Sequence, residues 1–213
     1  DWCLYIQADE AVHEDDHAVI RERCAELLDD ERVEGLLFDY LHFFGDYRHI
    51  QPGHGWYQRE IRIIRNGIGV RSVRDAQSFR YPDQTRIDVA PAQARIFHYG
   101  WVRHPRFMQA KVEEFWSHRL PREEVEARYG GREVFDYGPL GRLPTFDGTH
   151  PAVMRERIRA MDWSDALRAE DPTEMERTQL HKDERWKYRL LTALSRLTGV
   201  DLNHTNHGKV LDV

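Results

Sequence analysis

Residues 7–17, QADEAVHEDDH, contain two groups of side chains whose chemistry suits a metal ion. The first is QADE, residues 7–10, a short acidic motif that follows an apolar run. The second is HEDDH, residues 13–17, which matches the H-E-x-x-H pattern in which two histidines bind zinc and the glutamate serves as a general base. A zinc hydrolase that uses His13 and His17 is therefore one hypothesis for the chain.

The position of the two motifs favours the first. HEDDH follows the predicted first strand by only a few residues, so it lies at the start of a helix, where acidic side chains suit the helix dipole. In open α/β sheets, ligands bind beyond the carboxyl ends of strands, which is where Asp9 and Glu10 lie. A carboxylate there can hold a hard divalent cation that bridges phosphate oxygens. The alternative is that Asp9 caps a turn or a helix, and spacing alone leaves both open.

The elements that must position these residues follow an α/β pattern. Apolar runs predict strands, and periodic apolar faces predict helices, with a Gly/Pro-rich connector at 137–151. Strands are expected at 2–6, 33–44, 56–65 and 94–102, and helices near 15–28, 105–118, 121–129, 151–161 and 183–197. The run 2–6 is apolar throughout, which is typical of a strand buried on both faces of a parallel sheet. It needs neighbouring strands, so we expect the chain to begin inside a larger fold.

Composition limits the classes of function. The chain has 213 residues, of which 40% are hydrophobic and 32% charged, and this length suits one domain with a substantial core. The net charge of −6 offers no basic field, so we expect no nucleic-acid partner. No apolar run approaches the ~20 residues of a transmembrane segment, and no signal-peptide pattern opens the sequence. Cys3 and Cys24 form no disulfide framework and no C-x-x-C motif, so we expect a cytoplasmic location.

DWCLYIQADE resembles the strand and acidic motif of family 2 glycosyltransferases, in which an apolar strand ends in D-x-D or D-A-D-E. The resemblance continues in order through GLLFDYLHFFGDY, REIRIIRN, RIFHYGWVRHPRFMQAK and RWKYRLLTALSRLTG, so it covers most of the chain. It implies an α/β GT-A fold with a Rossmann-like mixed sheet and flanking helices. Family members carry further nucleotide-binding strands before this motif. Residues 1–103 would therefore form a partial GT-A core, and residues 104–213 a helical region that packs on it.

The resemblance also implies roles for single residues. Asp9 matches the aspartate that binds Mg²⁺ or Mn²⁺ on the donor diphosphate, and Gln7 stands where the first aspartate of D-x-D is usual. His98 resembles the late histidine that completes the metal site; the alternative is a strand histidine satisfied by backbone groups. Asp75, the only carboxylate of GVRSVRDAQSF, stands where the catalytic base is found, unless it is an ordinary turn aspartate. Arg103 is expected on the diphosphate side, as are His104, Arg106 and Lys111, unless these side chains are simply solvated.

The resulting hypothesis is a metal-dependent glycosyltransferase that moves a sugar, with inversion, from a nucleotide-sugar donor to a glycan or another hydroxyl acceptor. The alternative is a non-catalytic module that binds glycans or a partner chain on a truncated GT-A scaffold. Trp56, Tyr57, Tyr99 and Trp101 could stack on a sugar ring, although core packing is the default for each. An unpaired strand at 2–6 would also favour a homo-oligomer or dependence on a missing N-terminal half.

Overall fold

A computed structural model describes residues 1–73, 77–167, 186–198 and 205–213. The strands are β1 (Trp2–Leu4), β2 (Glu10–Val12), β3 (Gly35–Phe44), β4 (Arg59–Arg65), β5 (Arg71–Val73), β6 (Ser78–Arg80) and β7 (Val89–Trp101). The helices are α1 (Asp16–Glu26), α2 (Pro105–Ser117), α3 (Arg122–Tyr129), α4 (Arg155–Arg159) and α5 (Trp186–Thr198). Five strands form one curled sheet in the order β1-β4-β3-β7-β2, and β5 and β6 form a separate hairpin.

The main sheet is mixed, because β3 and β7 run parallel at its centre while the other neighbours pair antiparallel. Both central strands are apolar over most of their length, as expected for strands that are covered on both faces. The predicted α/β class, with a mixed sheet and flanking helices, is confirmed. The finer assignment to a Rossmann-like GT-A fold stays a prediction.

The helices α1 and α2 pack on the core through the apolar faces that their sequences predict. Ile20 and Cys24 of α1 pack with Leu27 on a core cluster that includes Phe38. On α2, Met108, Val112 and Phe115 have the spacing of a core face. Met108 and Val112 are buried against Phe44 and Tyr137, whereas Phe115 is 43% exposed. Within the part of the chain that is described, no helix has the length and apolar content required to cross a membrane.

The prediction that residues 2–6 form a strand buried on both faces of a parallel sheet is wrong. β1 has three residues, lies at the edge of the sheet and pairs antiparallel with β4. Leu4 is 56% exposed and Ile6 is 43% exposed. An apolar run this short does not distinguish an edge strand with one covered face from a central one.

The predicted helix at 151–161 begins later than expected. The segment 151–161 starts as a 3₁₀ turn, Ala152–Met154, and continues as the short helix α4. The predicted helix 183–197 corresponds to α5, and its first three residues lie outside the described part of the chain. Four apolar side chains at helical spacing on α5 are exposed, namely Trp186, Leu190, Leu194 and Leu197.

A buried ion pair joins two strands that are not neighbours in the sheet. Arg62 of β4 donates from Nε and Nη2 to the two carboxylate oxygens of Glu10 on β2, at 2.9 Å and 2.7 Å. Both side chains have no exposed surface. Tyr40 of β3 donates its hydroxyl hydrogen to Glu10 Oε1 at 2.9 Å. Since β3 and β7 lie between β4 and β2, the sheet must curl for the two side chains to meet.

Removing one partner of this pair should destabilise the fold strongly. In Arg62→Met, the Glu10 carboxylate is left buried without its counter-charge, so we expect the free energy of unfolding in urea to fall by about 3–5 kcal/mol. The double variant Glu10→Leu/Arg62→Met should recover much of that loss, because neither charge remains.

Arg128→Met is the control, because Arg128 forms an exposed i,i+4 pair with Glu124 on α3. It should leave the unfolding midpoint nearly unchanged. A loss in Arg62→Met as small as in this control would show that the buried pair does not hold the two strands together.

Candidate functional site

The pairing of three strands places a row of polar side chains on one face of the sheet. Glu10 of β2 lies opposite His98 of β7, and His42 of β3 lies beside the same His98. Residues opposite each other on neighbouring strands point to the same face, so the three side chains are adjacent. Asp9 precedes Glu10 and accepts a backbone hydrogen bond from the Tyr99 N–H at 2.8 Å. The acidic motif is therefore held along β7.

A cavity of about 540 Å³ opens above this row, between the sheet and α2. Its polar lining includes Gln7, Asp9, His98 and Lys111. Its apolar wall comes from the end of β7 and from α2, and consists of Trp101, Met108, Val112, Phe115 and Trp116. The structure thus brings together four residues that the sequence predicts for the site, namely Gln7, Asp9, His98 and Lys111.

The Asp9 carboxylate lies between two nitrogen atoms. Its Oδ2 atom is 3.8 Å from His98 Nε2 and 3.6 Å from Lys111 Nζ, and its side chain is 40% exposed. Lys111 Nζ also donates to the carbonyl oxygen of Gly100 at 2.7 Å. Burial lowers the pKa of Lys111 and Asp9 opposes that shift. The result is a carboxylate, an imidazole and an ammonium group within one small volume.

Gly100 leaves a space beside two of these groups. A Cβ atom at this position would lie 2.6 Å from Asp9 Oδ2 and 2.7 Å from His98 Nε2, which is closer than non-bonded atoms approach. Any other residue would therefore fill the space that the carboxylate and the imidazole share. A cation bound by both groups would lie in that space.

A divalent cation held by Asp9 Oδ2 and His98 Nε2 would have an open coordination sphere. Among the residues that the structure describes, no group of three or more His, Cys, Asp and Glu side chains could hold a metal ion. With Asp9 and His98 as the two protein ligands, the remaining positions of such an ion would be open to ligand oxygens and water. Mg²⁺ and Mn²⁺ both accept carboxylate and water oxygens, and an imidazole nitrogen suits a transition metal better than it suits Mg²⁺.

The imidazoles of His42 and His98 are electrically neutral near pH 7. Burial lowers the pKa of His42 to about 3, and the neighbouring His98 acts in the same direction. Burial also lowers the pKa of His98, although Asp9 and Glu10 oppose the shift. A neutral imidazole has one nitrogen with a lone pair, so His98 retains the capacity to bind a cation.

The remaining candidates differ in where the structure places them. Arg103 is exposed and is not among the residues that line the cavity, although its charge contributes to the lowered pKa of Lys111. Asp75 lies outside the described residues; Gln77, two positions later, lines the cavity. Of the aromatic candidates, Tyr57 and Trp101 line the cavity.

Tyr99 and Trp56 pack in the core instead. Tyr99 belongs to the core cluster around Phe43 and Phe97, and Trp56 packs in the cluster around Phe44. Tyr99 and Trp56 thus pack in the core, which is the default expectation for each.

HEDDH makes structural contacts at the start of α1. His13 is buried, its Nδ1 atom accepts from the Asp15 N–H at 3.2 Å, and its Nε2 atom is 3.1 Å from Thr149 Oγ1. The Glu14 carboxylate accepts from the Ala152 N–H, and His17 is exposed. These contacts tie the end of the connector to the first turn of the helix.

Sequence reasoning missed His42 and Gly100. The alternation of β3 does place His42 on the same face as Tyr40, but nothing in a single sequence aligns that strand with β7. Gly100 directly follows His98 and Tyr99 near the end of β7, and only the three-dimensional position of Asp9 shows why a side chain is excluded there.

Comparison of the chain with protein-family models, with curated proteins and with solved structures finds no match. The geometry of the cavity is therefore the basis for assigning a function.

Adding one methyl group at Gly100 should block the cation without removing a ligand. In Gly100→Ala, the new Cβ atom occupies the space between the carboxylate and the imidazole, so we expect Mn²⁺ affinity measured by calorimetry to fall at least tenfold, or about 1.4 kcal/mol. Circular dichroism should show that the fold is retained.

His17→Ala is the control, since it removes an exposed histidine of HEDDH. Mn²⁺ affinity should be unchanged in this variant. Normal Mn²⁺ binding by Gly100→Ala, or lost binding in His17→Ala, would place the cation elsewhere.

Proposed function

We propose that the chain belongs to a metal-dependent, inverting glycosyltransferase that transfers a sugar from a nucleotide-sugar donor to an acceptor hydroxyl. The observation that supports this proposal is a single cavity with two chemically different ends. Asp9, His98 and Lys111 form an end that suits a cation and a diphosphate. Trp101 and Trp116 form an aromatic wall, against which the C–H face of a sugar ring packs well.

At the polar end, the chain supplies charge that complements a diphosphate. The Lys111 ammonium has three N–H donors, of which one goes to the Gly100 carbonyl and another faces Asp9. Its positive charge favours phosphate oxygens that enter the cavity. Gln7 lies beside Asp9 and can exchange hydrogen bonds with the ribose or the diphosphate, and Arg103 stays a proposed contact to the diphosphate.

Asp9 and His98 are the residues that would hold Mg²⁺ or Mn²⁺. When bound, such an ion supplies Lewis-acid stabilisation of the negative charge that develops on the leaving diphosphate. The fixed positive charge of Lys111 acts on the same developing charge, because it lies on the same side of the cavity.

The transfer itself is a displacement at the anomeric carbon. The acceptor oxygen attacks from the face opposite the diphosphate, a new carbon–oxygen bond forms, and the bond to the diphosphate oxygen breaks. The configuration inverts, and the acceptor proton passes to a carboxylate base. We assign that role to Asp75, the only carboxylate of GVRSVRDAQSF, because it stands where the family resemblance implies the catalytic base. The cytoplasmic location stays a prediction.

Removing the Lys111 charge should weaken the binding of nucleoside diphosphates. Lys111→Met keeps most of the side-chain volume, and we expect a 10- to 100-fold loss of affinity for UDP or GDP in calorimetry with Mn²⁺, the usual worth of a charge-assisted hydrogen bond. Lys187→Met is the control, because Lys187 is exposed on α5. Equal affinities in both variants would show that Lys111 does not contribute to binding of the diphosphate.

The Asp75→Asn substitution should lower the rate of sugar transfer without changing the affinity for the donor. In an active preparation of the protein, we expect turnover of the donor sugar nucleotide to fall by roughly 10²–10⁴-fold, because the acceptor proton has no base to receive it. Donor affinity should be unchanged.

A panel of uridine and guanosine sugar nucleotides, assayed with and without glycan acceptors, gives the readout. Near-normal turnover by Asp75→Asn would remove Asp75 from the mechanism. Glycan binding without any turnover of donor by the wild-type protein would instead favour a non-catalytic module.

A further inference from the structure

Two buried imidazoles lie side by side below the cavity and must share one hydrogen atom. His42 Nδ1 is 3.0 Å from His98 Nδ1, and the two rings are nearly perpendicular, with centroids 4.9 Å apart. His42 is 1% exposed and His98 is 7% exposed, so water does not separate them. At this distance one Nδ1 atom must donate and the other must accept, because two N–H groups or two lone pairs would repel each other.

A backbone carbonyl decides which nitrogen donates. His42 Nε2 lies 2.6 Å from the carbonyl oxygen of Tyr57, and a carbonyl oxygen can only accept. His42 therefore carries its hydrogen on Nε2. Its ring is buried, feels the positive charge of Arg62 and has no carboxylate partner among the contacts of the described residues. It therefore carries a single hydrogen, and its Nδ1 atom is the acceptor.

The hydrogen between the rings then belongs to His98. A neutral His98 that donates from Nδ1 has its lone pair on Nε2. That Nε2 atom faces Asp9 Oδ2 and the space left by Gly100. Asp9 on its own favours the opposite tautomer, since a carboxylate attracts an N–H on the nitrogen that faces it. The contact with His42 opposes this preference.

We propose that His42 is a positioning residue. Its hydrogen bond to the Tyr57 carbonyl sets its own tautomer, and that tautomer fixes the His98 lone pair on Nε2, toward the cavity. The tautomer itself does not depend on what the cavity binds. Its consequence for a cation rests on the proposed function.

A fixed lone pair selects among cations. A site that offers one imidazole nitrogen and one carboxylate oxygen favours Mn²⁺ over Mg²⁺, because nitrogen ligands suit transition metals better than they suit magnesium. Groups that orient a histidine ligand typically contribute 10- to 100-fold to metal affinity. His42 would therefore determine both the strength and the selectivity of cation binding.

The tautomer is measurable without metal or nucleotide. Long-range ¹H–¹⁵N correlation spectra of the protein with ¹⁵N-labelled histidine distinguish a nitrogen that carries hydrogen from one with a lone pair. We expect His98 to carry its hydrogen on Nδ1 at pH 7. A wild-type spectrum with the hydrogen on Nε2 would overturn the proposal, even if the variants below fail to fold.

Two variants test the role of His42. His42→Phe keeps a ring but removes both hydrogen bonds, so the His98 hydrogen should move to Nε2 and Mn²⁺ affinity should fall by about 10- to 100-fold. His42→Gln retains a donor for the Tyr57 carbonyl and an acceptor for His98, and should restore both the Nδ1–H tautomer and most of the affinity.

The outcomes test the positioning role of His42 and the cation of the proposed function separately. An unchanged tautomer in His42→Phe would overturn the positioning role. If His42→Phe shifts the tautomer while the wild-type protein binds no Mn²⁺, the positioning role stands and the cation of the proposed function is wrong.

Discussion

The buried pair of Glu10 and Arg62 is the interaction on which the rest of the site depends. Both charges are fully removed from water, so each is tolerated only because the other is present. The pair spans the width of two strands, which fixes the curl of the sheet and anchors the residue next to Asp9. Tyr40 adds a hydrogen bond to the same carboxylate and covers Arg62 with its ring, at 5.2 Å from the guanidinium carbon. The charged residues of the sheet interior thus hold the cavity floor in place.

On that floor, two constraints orient the groups that face the cavity. The hydrogen bond from the Tyr99 N–H to the Asp9 carbonyl oxygen fixes the backbone position of Asp9. The contact with His42 determines which nitrogen of His98 has its lone pair toward the cavity. Gly100 completes the arrangement by leaving space between them. The sheet provides Asp9 and His98, and α2 provides Lys111.

Much of the fold follows from local patterns, and the site follows from them only in part. The periodicity of 105–118 predicts α2 closely, and the apolar runs that become β3 and β7 predict the two central strands. Asp9 and His98 stand out because polar residues end or interrupt apolar strands. The Glu10–Arg62 pair, His42 and Gly100 depend on the alignment of strands far apart in sequence, which a single sequence does not encode locally. The edge position of β1 is missed for the same reason.

The central claim is that Asp9 and His98 present one cation-binding space beside Gly100. Mn²⁺ is paramagnetic and broadens the signals of nearby nuclei, so the most direct measurement is a Mn²⁺ titration of the ¹⁵N-labelled protein followed by amide correlation spectra. The account predicts that the amide signals of Asp9, His98 and Gly100 broaden first, and that those of His17 and Val153 persist. Selective broadening around residues 13–17, or uniform broadening with no preferred region, would contradict it.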